Sequence, residues 1–297
     1  MNDWFDLSVG DDYDGRVDLA LFGIAYDRSV FFRRGAAGGP TRIRELSSKI
    51  PPVSESGVAL NALTVLDLGD IVPGSQDDEL IPYHDAIQDR WRAARTRGLP
   101  LVLGGDHSIS IPLFAAAART AEGPFGVIWI DAHPDLCDEY DGSRFSHASV
   151  LRRALDAPNL HPEVVTMLGV RSYEVEELDY LALNPINVVT AAALASQNAS
   201  DVGRSLADQY RDIPVYLSID IDAFDPAYAP GTGIPDAGGL STRWVLDLLH
   251  QFSSLDLLGI DVVEAAPSLD VPSDATSLLA LKLILEMLHT FSKNTHA

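Results

Sequence analysis

Runs of apolar, β-branched residues of strand length recur at 17–26, 63–68, 100–105, 125–131, 164–170, 187–191, 214–222 and 255–263. Between most of them lie stretches with apolar positions at helical spacing, at 78–98, 108–121, 148–156, 174–183, 198–211, 241–253 and 273–291. This alternation predicts an α/β fold, a parallel sheet covered by helices on both faces. The strand runs are continuous rather than alternating, which predicts burial on both sides of the sheet. No repeat, low-complexity tract or linker breaks the series, and the glycine- and proline-rich stretch 225–239 sits beside a strand. One domain spanning 1–297 is expected.

In open α/β sheets ligands bind beyond the carboxyl ends of the strands. Four of the predicted strands end in residues with catalytic chemistry: GGDHS (104–108), DAHPD (131–135), SIDIDAFDP (218–226) and DVVEAAP (261–267). Asp131, His133 and Asp135 follow an apolar run at a spacing of two, as do Asp220 and Asp222, and alternate residues of a strand face the same side. His107 closes a third strand end. Any one of these is an ordinary turn or cap motif; their agreement at three strand ends carries the argument.

Four carboxylates and two imidazoles meeting at a buried edge would carry a charge near −4, which a dry interior holds only when neutralised. Two divalent cations would balance it. Mixed carboxylate and imidazole ligation suits manganese, with nickel, iron, cobalt or zinc also compatible, and the absence of thiolates argues against a structural zinc site. Such a pair, about 3.5–4 Å apart, would acidify a shared water.

Composition narrows the partners. With 46% hydrophobic and 22% charged residues the chain reads as globular, and a net charge of −22 would repel a nucleic acid backbone. No run of eighteen apolar residues occurs, and the N-terminus is acidic, so neither a membrane span nor a signal peptide is expected. The single cysteine, Cys137, excludes an intramolecular disulfide and fits a reducing, cytoplasmic compartment. Three lysines stand against eighteen arginines. The acidic excess is open to three readings: a salt-adapted host, a field that attracts cations, or a well-solvated surface.

The blocks GGDHS, DAHPD and SIDIDAFDPAYAPGTGIPDAGGLS resemble the signature blocks of the ureohydrolase (arginase and agmatinase) superfamily. RRGAAGGPTRIREL resembles its substrate-admitting loop and DVVEAAPSLD its last block, so the resemblance spans nearly the whole chain. It implies a three-layer α/β/α arginase-like fold with a central, mainly parallel sheet of about eight strands. It also implies one manganese on His107, Asp131, Asp135 and Asp220 and a second on Asp131, His133, Asp220 and Asp222, with Asp131 and Asp220 bridging. Glu264 matches the residue that pairs with the guanidinium, and His147 the one that shuttles a proton to the leaving amine. A homo-oligomer, trimer or hexamer, is implied as well.

The resemblance implies hydrolysis of a small cationic guanidino compound to urea and an amine. The acidic stretch 135–147 (DLCDEYDGSRFSH) lacks the polar run with which arginases hold a carboxylate, which favours agmatine. Two departures favour other guanidines: Glu174 stands where arginases contact the substrate amine, and Phe31, Phe32 and Arg33 give a bulkier loop. Guanidinobutyrate, guanidinopropionate, arginine and guanidine are the alternative substrates. An arginase-fold metal-dependent deacetylase would carry one metal, and a non-catalytic assembly subunit would have lost ligands. Asp106 and Asp225 are expected to orient neighbours, and Cys137 to be a small loop residue.

Overall fold

The computed structural model describes residues 4–10, 12–73 and 81–292. Eight strands form one sheet: β1 (Leu19–Ile24), β2 (Val65–Ile71), β3 (Leu99–Leu103), β4 (Gly126–Ile130), β5 (Val165–Leu168), β6 (Asn187–Val189), β7 (Val215–Asp220) and β8 (Leu257–Val263). Their order is β2-β1-β3-β8-β7-β4-β5-β6, and every recorded pairing is parallel. All eight predicted strands are present. Burial on both sides holds for the central strands; the edges β2 and β6 are half-exposed. An edge strand lacks a neighbour, so polar residues such as Asp67, Asp70 and Asn187 are tolerated there.

The helices are α1 (Gly39–Ser47), α2 (His84–Arg97), α3 (Ser110–Thr120), α4 (Val150–Ala154), α5 (Val175–Leu183), α6 (Ala191–Leu194), α7 (Ala199–Gln209), α8 (Thr242–Leu249) and α9 (Ala275–Ser292). Two clusters of buried apolar side chains cover the two faces of the sheet, α1 and α7–α9 on one, α2–α4 on the other. The first residues of the predicted helix 78–98 lie outside the described residues. Helix α1 was not predicted, because the glycines before it read as loop. Pro40 in its first turn fixes a helical φ, and Ile43 and Arg44 turn inward. Arg44 is buried between Asp67 at 2.6 Å and Asp70 at 2.6 Å, which ties α1 to β2.

The strand order settles where the chemistry lies. The four strands with polar ends, β3, β8, β7 and β4, are consecutive neighbours at the middle of the sheet. Gly105, directly after β3, has no room for a side chain: a Cβ there would stand 1.6 Å from the Tyr26 carbonyl oxygen. The Gly105 carbonyl accepts from the Glu264 amide at 2.9 Å, linking the β3 and β8 ends. We expect Gly105→Ala to force the backbones apart and lower stability by about 3 kcal/mol, read from urea unfolding midpoints; a wild-type midpoint would show that this junction yields freely.

Candidate metal centre and active site

The ligand candidates meet, but not through strand pleating. β4 ends at Ile130, so Asp131, His133 and Asp135 lie in the turn that follows; Asp220 is the last residue of β7, and Asp222 sits in the short 3-10 turn 221–223. Aspartates bonding the chain two residues onward shape both turns. Asp131 Oδ1 accepts from the His133 amide at 2.6 Å, and Asp220 Oδ1 from the Asp222 amide at 2.7 Å. Asp135 adopts a left-handed φ of 52°, a sparsely populated conformation that costs of order 1–3 kcal/mol and clusters at functional sites.

His107 Nδ1 lies 3.1 Å from Asp131 Oδ2, 3.3 Å from Asp135 Oδ2 and 3.1 Å from Asp220 Oδ2. His133 Nδ1 lies 3.1 Å from Asp222 Oδ2 and 3.5 Å from Asp131 Oδ1. Two groups that could each hold a cation result, His107–Asp131–Asp135 and Asp131–His133–Asp222, sharing Asp131. Burial, and then repulsion from Asp131 and, for Asp220, from Asp222, push Asp135 and Asp220 well above the usual carboxylate range. Burial would lower His107, yet Asp131 and Asp135 outweigh it and raise its pKa to about 9.

A relay that sequence reasoning missed fixes the His107 tautomer. Its Nε2 is 3.0 Å from Ser218 Oγ, and Ser218 Oγ donates to Asp261 Oδ1 at 2.6 Å. Asp261 Oδ2 accepts from Ser110 Oγ and Tyr216 OH, both at 2.7 Å. Three hydroxyls converging on one fully buried carboxylate fit an ionised acceptor. The single Ser218 proton then goes to Asp261, so Ser218 accepts from His107 Nε2–H. The His107 Nδ1 lone pair is left facing three carboxylates, and both it and Asp131 Oδ2 are buried without a hydrogen-bond partner. Lone pair against carboxylate is repulsive unless a proton, which the raised His107 pKa reflects, or a metal cation lies between, and a buried nitrogen facing three carboxylate oxygens is a donor set that fits divalent metal. The Trp129 indole stacks on the His107 ring with centroids 4.3 Å apart, holding the ring plane. Asp261 had a legible signal, a charged residue inside an apolar strand; Ser218 had only its place two residues before Asp220.

Glu264 also adopts a left-handed φ, 64°, and its Oε1 accepts from the His107 amide at 2.9 Å. Burial, then Asp106, pushes its pKa well up. His147 is buried; Nδ1–H donates to the Ser29 carbonyl at 3.0 Å, which leaves the lone pair on Nε2. Burial lowers its pKa to about 4, below the ordinary histidine range. Asp106 bonds the Ser29 and Ser108 amides, and Asp225 those of Ala227, Gly238 and Gly239, so both act as turn organisers. Cys137 is buried with its pKa pushed up by burial and by Glu177, as befits an inert loop residue.

Glu174 lines the cavity but also caps α5, in a capping box with Glu177. Glu177, not singled out from sequence, is buried, lines the same cavity and accepts from the Leu136 amide at 2.8 Å, bracing the turn beside Asp135. Burial raises its pKa to about 7. The cavity is small, about 180 Å³, with Phe31, Tyr140, Tyr173 and Ile234 at its walls, and no lysine or arginine lines it among the described residues. Of the remaining histidines, His84 packs edge-on against Phe145, His250 pairs with Glu286, and His161 and His289 lie outside the cluster. His296 lies outside the described residues.

The sequence and the eight-stranded fold both match known proteins. Residues 17–289 match the arginase family, and the chain belongs to it. It is 33% identical to the guanidinobutyrase of Pseudomonas aeruginosa over 92% of this chain and 86% of that protein. It is 34% identical to an agmatinase of Neisseria meningitidis over 93% of this chain and 88% of that protein. The solved proclavaminate amidino hydrolase of Streptomyces clavuligerus superposes with a TM-score of 0.85 at 32% identity, covering 95% of this chain and 94% of that one. The protein is therefore a hydrolase of amidino compounds with an arginase-like fold. The family depends on a binuclear metal centre, and the clustered His and Asp groups here could hold one.

If the relay sets the His107 lone pair, Ser218→Ala and Asp261→Asn should each weaken metal binding about 10–100-fold. Calorimetric titration of the metal-free protein with manganese reads this directly; unchanged affinity would reduce the relay to packing.

Proposed function

We propose that the chain is a dinuclear manganese hydrolase that cleaves a guanidino compound to urea and an amine, with agmatine the leading substrate and putrescine the product. The observation that carries this reading is the pair of ligand groups sharing Asp131, with Glu264 and His147 lining the same cavity. We assign one cation to His107, Asp131, Asp135 and Asp220, and the other to Asp131, His133, Asp220 and Asp222. Two divalent cations held by these residues would supply the acidification of a water that makes it a nucleophile at neutral pH.

The side chains supply the rest. A guanidinium is a poor electrophile because its charge is delocalised, and a buried carboxylate that accepts two of its N–H groups, here Glu264, holds the carbon in place. His147, neutral and with its lone pair on Nε2, takes a proton released during attack and returns it to the leaving nitrogen, since amines depart only when protonated. Glu174, at the cavity wall, faces the tail. An acidic lining without lysine or arginine among the described residues suits an amine tail. Arg33 is not among the residues that line this cavity; it bonds the Gly233 carbonyl at 3.1 Å and stacks over Phe32.

A second reading, a carboxylate tail as in guanidinobutyrate, draws on the guanidinobutyrase relative and on Arg33 being anchored one residue from Ile234 of the cavity wall. We further take residues 1–297 as one domain that works as a cytoplasmic homo-oligomer, a trimer or hexamer.

Urea release by manganese-loaded protein across agmatine, arginine, guanidinobutyrate, guanidinopropionate and guanidine decides the substrate. We expect agmatine to be preferred and His133→Ala or chelation to abolish release; no urea from any of the five under manganese or nickel would sink the reading. Burial lowers the His147 pKa to about 4, so we expect its accepting form to persist through the neutral range. As pH falls, it should therefore be lost to protonation only near pH 4, and an acid limb in kcat/KM at about 6.5 that vanishes in His147→Asn would contradict this.

A further inference from the structure

Phe31 is 59% exposed and its neighbour Phe32 61%, and of the two it is Phe31 that lines the cavity. The exposure is not the result of a loose loop, because both flanks are pinned. On one side the Ser29 amide donates to Asp106 Oδ2 at 2.9 Å, its hydroxyl accepts from the His147 amide at 3.1 Å, and its carbonyl accepts from His147 Nδ1. Val30 between them is buried. On the other side Arg33 Nε donates to the Gly233 carbonyl. The ring is thereby presented at the mouth of the cavity, which it helps to line.

Phe31 is not alone there. Its centroid lies 5.6 Å from Tyr140 and 6.5 Å from the His147 ring, and Tyr140 meets His147 edge-on at 5.7 Å. Aromatic faces carry negative quadrupole potential and attract a cation within about 6 Å of the ring centre. The wall below is acidic, with Glu174 and Glu177, and no lysine or arginine lines it among the described residues. Such a rim rewards a positive charge, and its lining residues offer a carboxylate no cationic partner.

Resting on the guanidine-hydrolase reading above, we infer that Phe31 is a specificity-determining residue: with Tyr140 it forms an aromatic rim that receives the cationic far end of an amine-tailed guanidine. The guanidinium goes inward to Glu264 and the tail ammonium outward to the rim. A carboxylate-tailed guanidine of the same length reaches the same rim without that attraction.

The test compares tails rather than overall activity. Wild type, Phe31→Ala and Phe31→Trp are assayed on agmatine and guanidinobutyrate. In parallel, binding of the amine-tailed product putrescine and of 4-aminobutyrate to the metal-loaded protein is measured by calorimetry. We expect the agmatine-to-guanidinobutyrate ratio of kcat/KM to fall about 3–30-fold in Phe31→Ala, with KM for agmatine carrying the change, and to recover in Phe31→Trp. Putrescine affinity should fall by a similar factor. A ratio within about twofold of wild type, whether or not both activities drop, overturns the inference, because a merely structural role would move both tails together. If no guanidine is hydrolysed, the functional reading fails alone, and the calorimetry still decides the rim: putrescine binding no more weakened by Phe31→Ala than 4-aminobutyrate binding rejects it.

Discussion

Four aspartates brought to one buried point repel one another, and most of the local architecture is arranged to hold them there. Burial and mutual repulsion drive Asp135 and Asp220 toward protonation, an unfavourable state for groups meant to be anionic donors. Backbone amides answer three of the four, Asp131, Asp220 and Asp222. Backbone amides bond Asp131 and Asp220 from within their own turns, and Asp222 Oδ1 accepts from the Ala132 amide at 3.2 Å, joining the β4 and β7 ends. Divalent cations between these oxygens and the His107 lone pair would turn the repulsion into the attraction that completes the site.

The neighbouring elements answer to the same demand. His107 is fixed on three sides, by the Glu264 carboxylate on its amide, by Ser218 on Nε2 and by the Trp129 face. Asp261 stays buried because three hydroxyls satisfy it, so a carboxylate that looks costly in an apolar strand sets a tautomer on the neighbouring strand. Strained left-handed backbone at Asp135 and Glu264 falls in the turn after β4 and directly after β8, where each side chain lines the cavity. The strain is held by tertiary bonds: Leu136 N to Glu177 beside the first, and Glu264 N to Gly105 at the second.

Much of this was legible beforehand, and for physical reasons. Continuous apolar runs of strand length reported the central strands, since burial on both faces leaves no polar alternation to confuse the pattern, and the half-exposed edges β2 and β6 still carried short β-branched runs. Ligand types are chemically scarce in such surroundings, so Asp131, His133, Asp135, Asp220, Asp222 and His107 stood out as soon as the strand ends were located. Helix α1 did not, because Gly35, Gly38 and Gly39 mask its start. Glu177 and Ser218 did not, because a capping glutamate and a strand serine look alike with or without a cavity beside them.

Residue chemistry and hydrophobic period by themselves determined the fold class, the existence of a carboxylate and imidazole cluster and the strands that bear it, because those depend on what each short segment must bury or expose. Only the tertiary structure decided that β3, β8, β7 and β4 are neighbours, that turns rather than strand pleats converge the aspartates, and that His147 is buried deeply enough to lower its pKa. Those outcomes depend on distances between segments far apart in the chain, and on a depth of burial that no local pattern records.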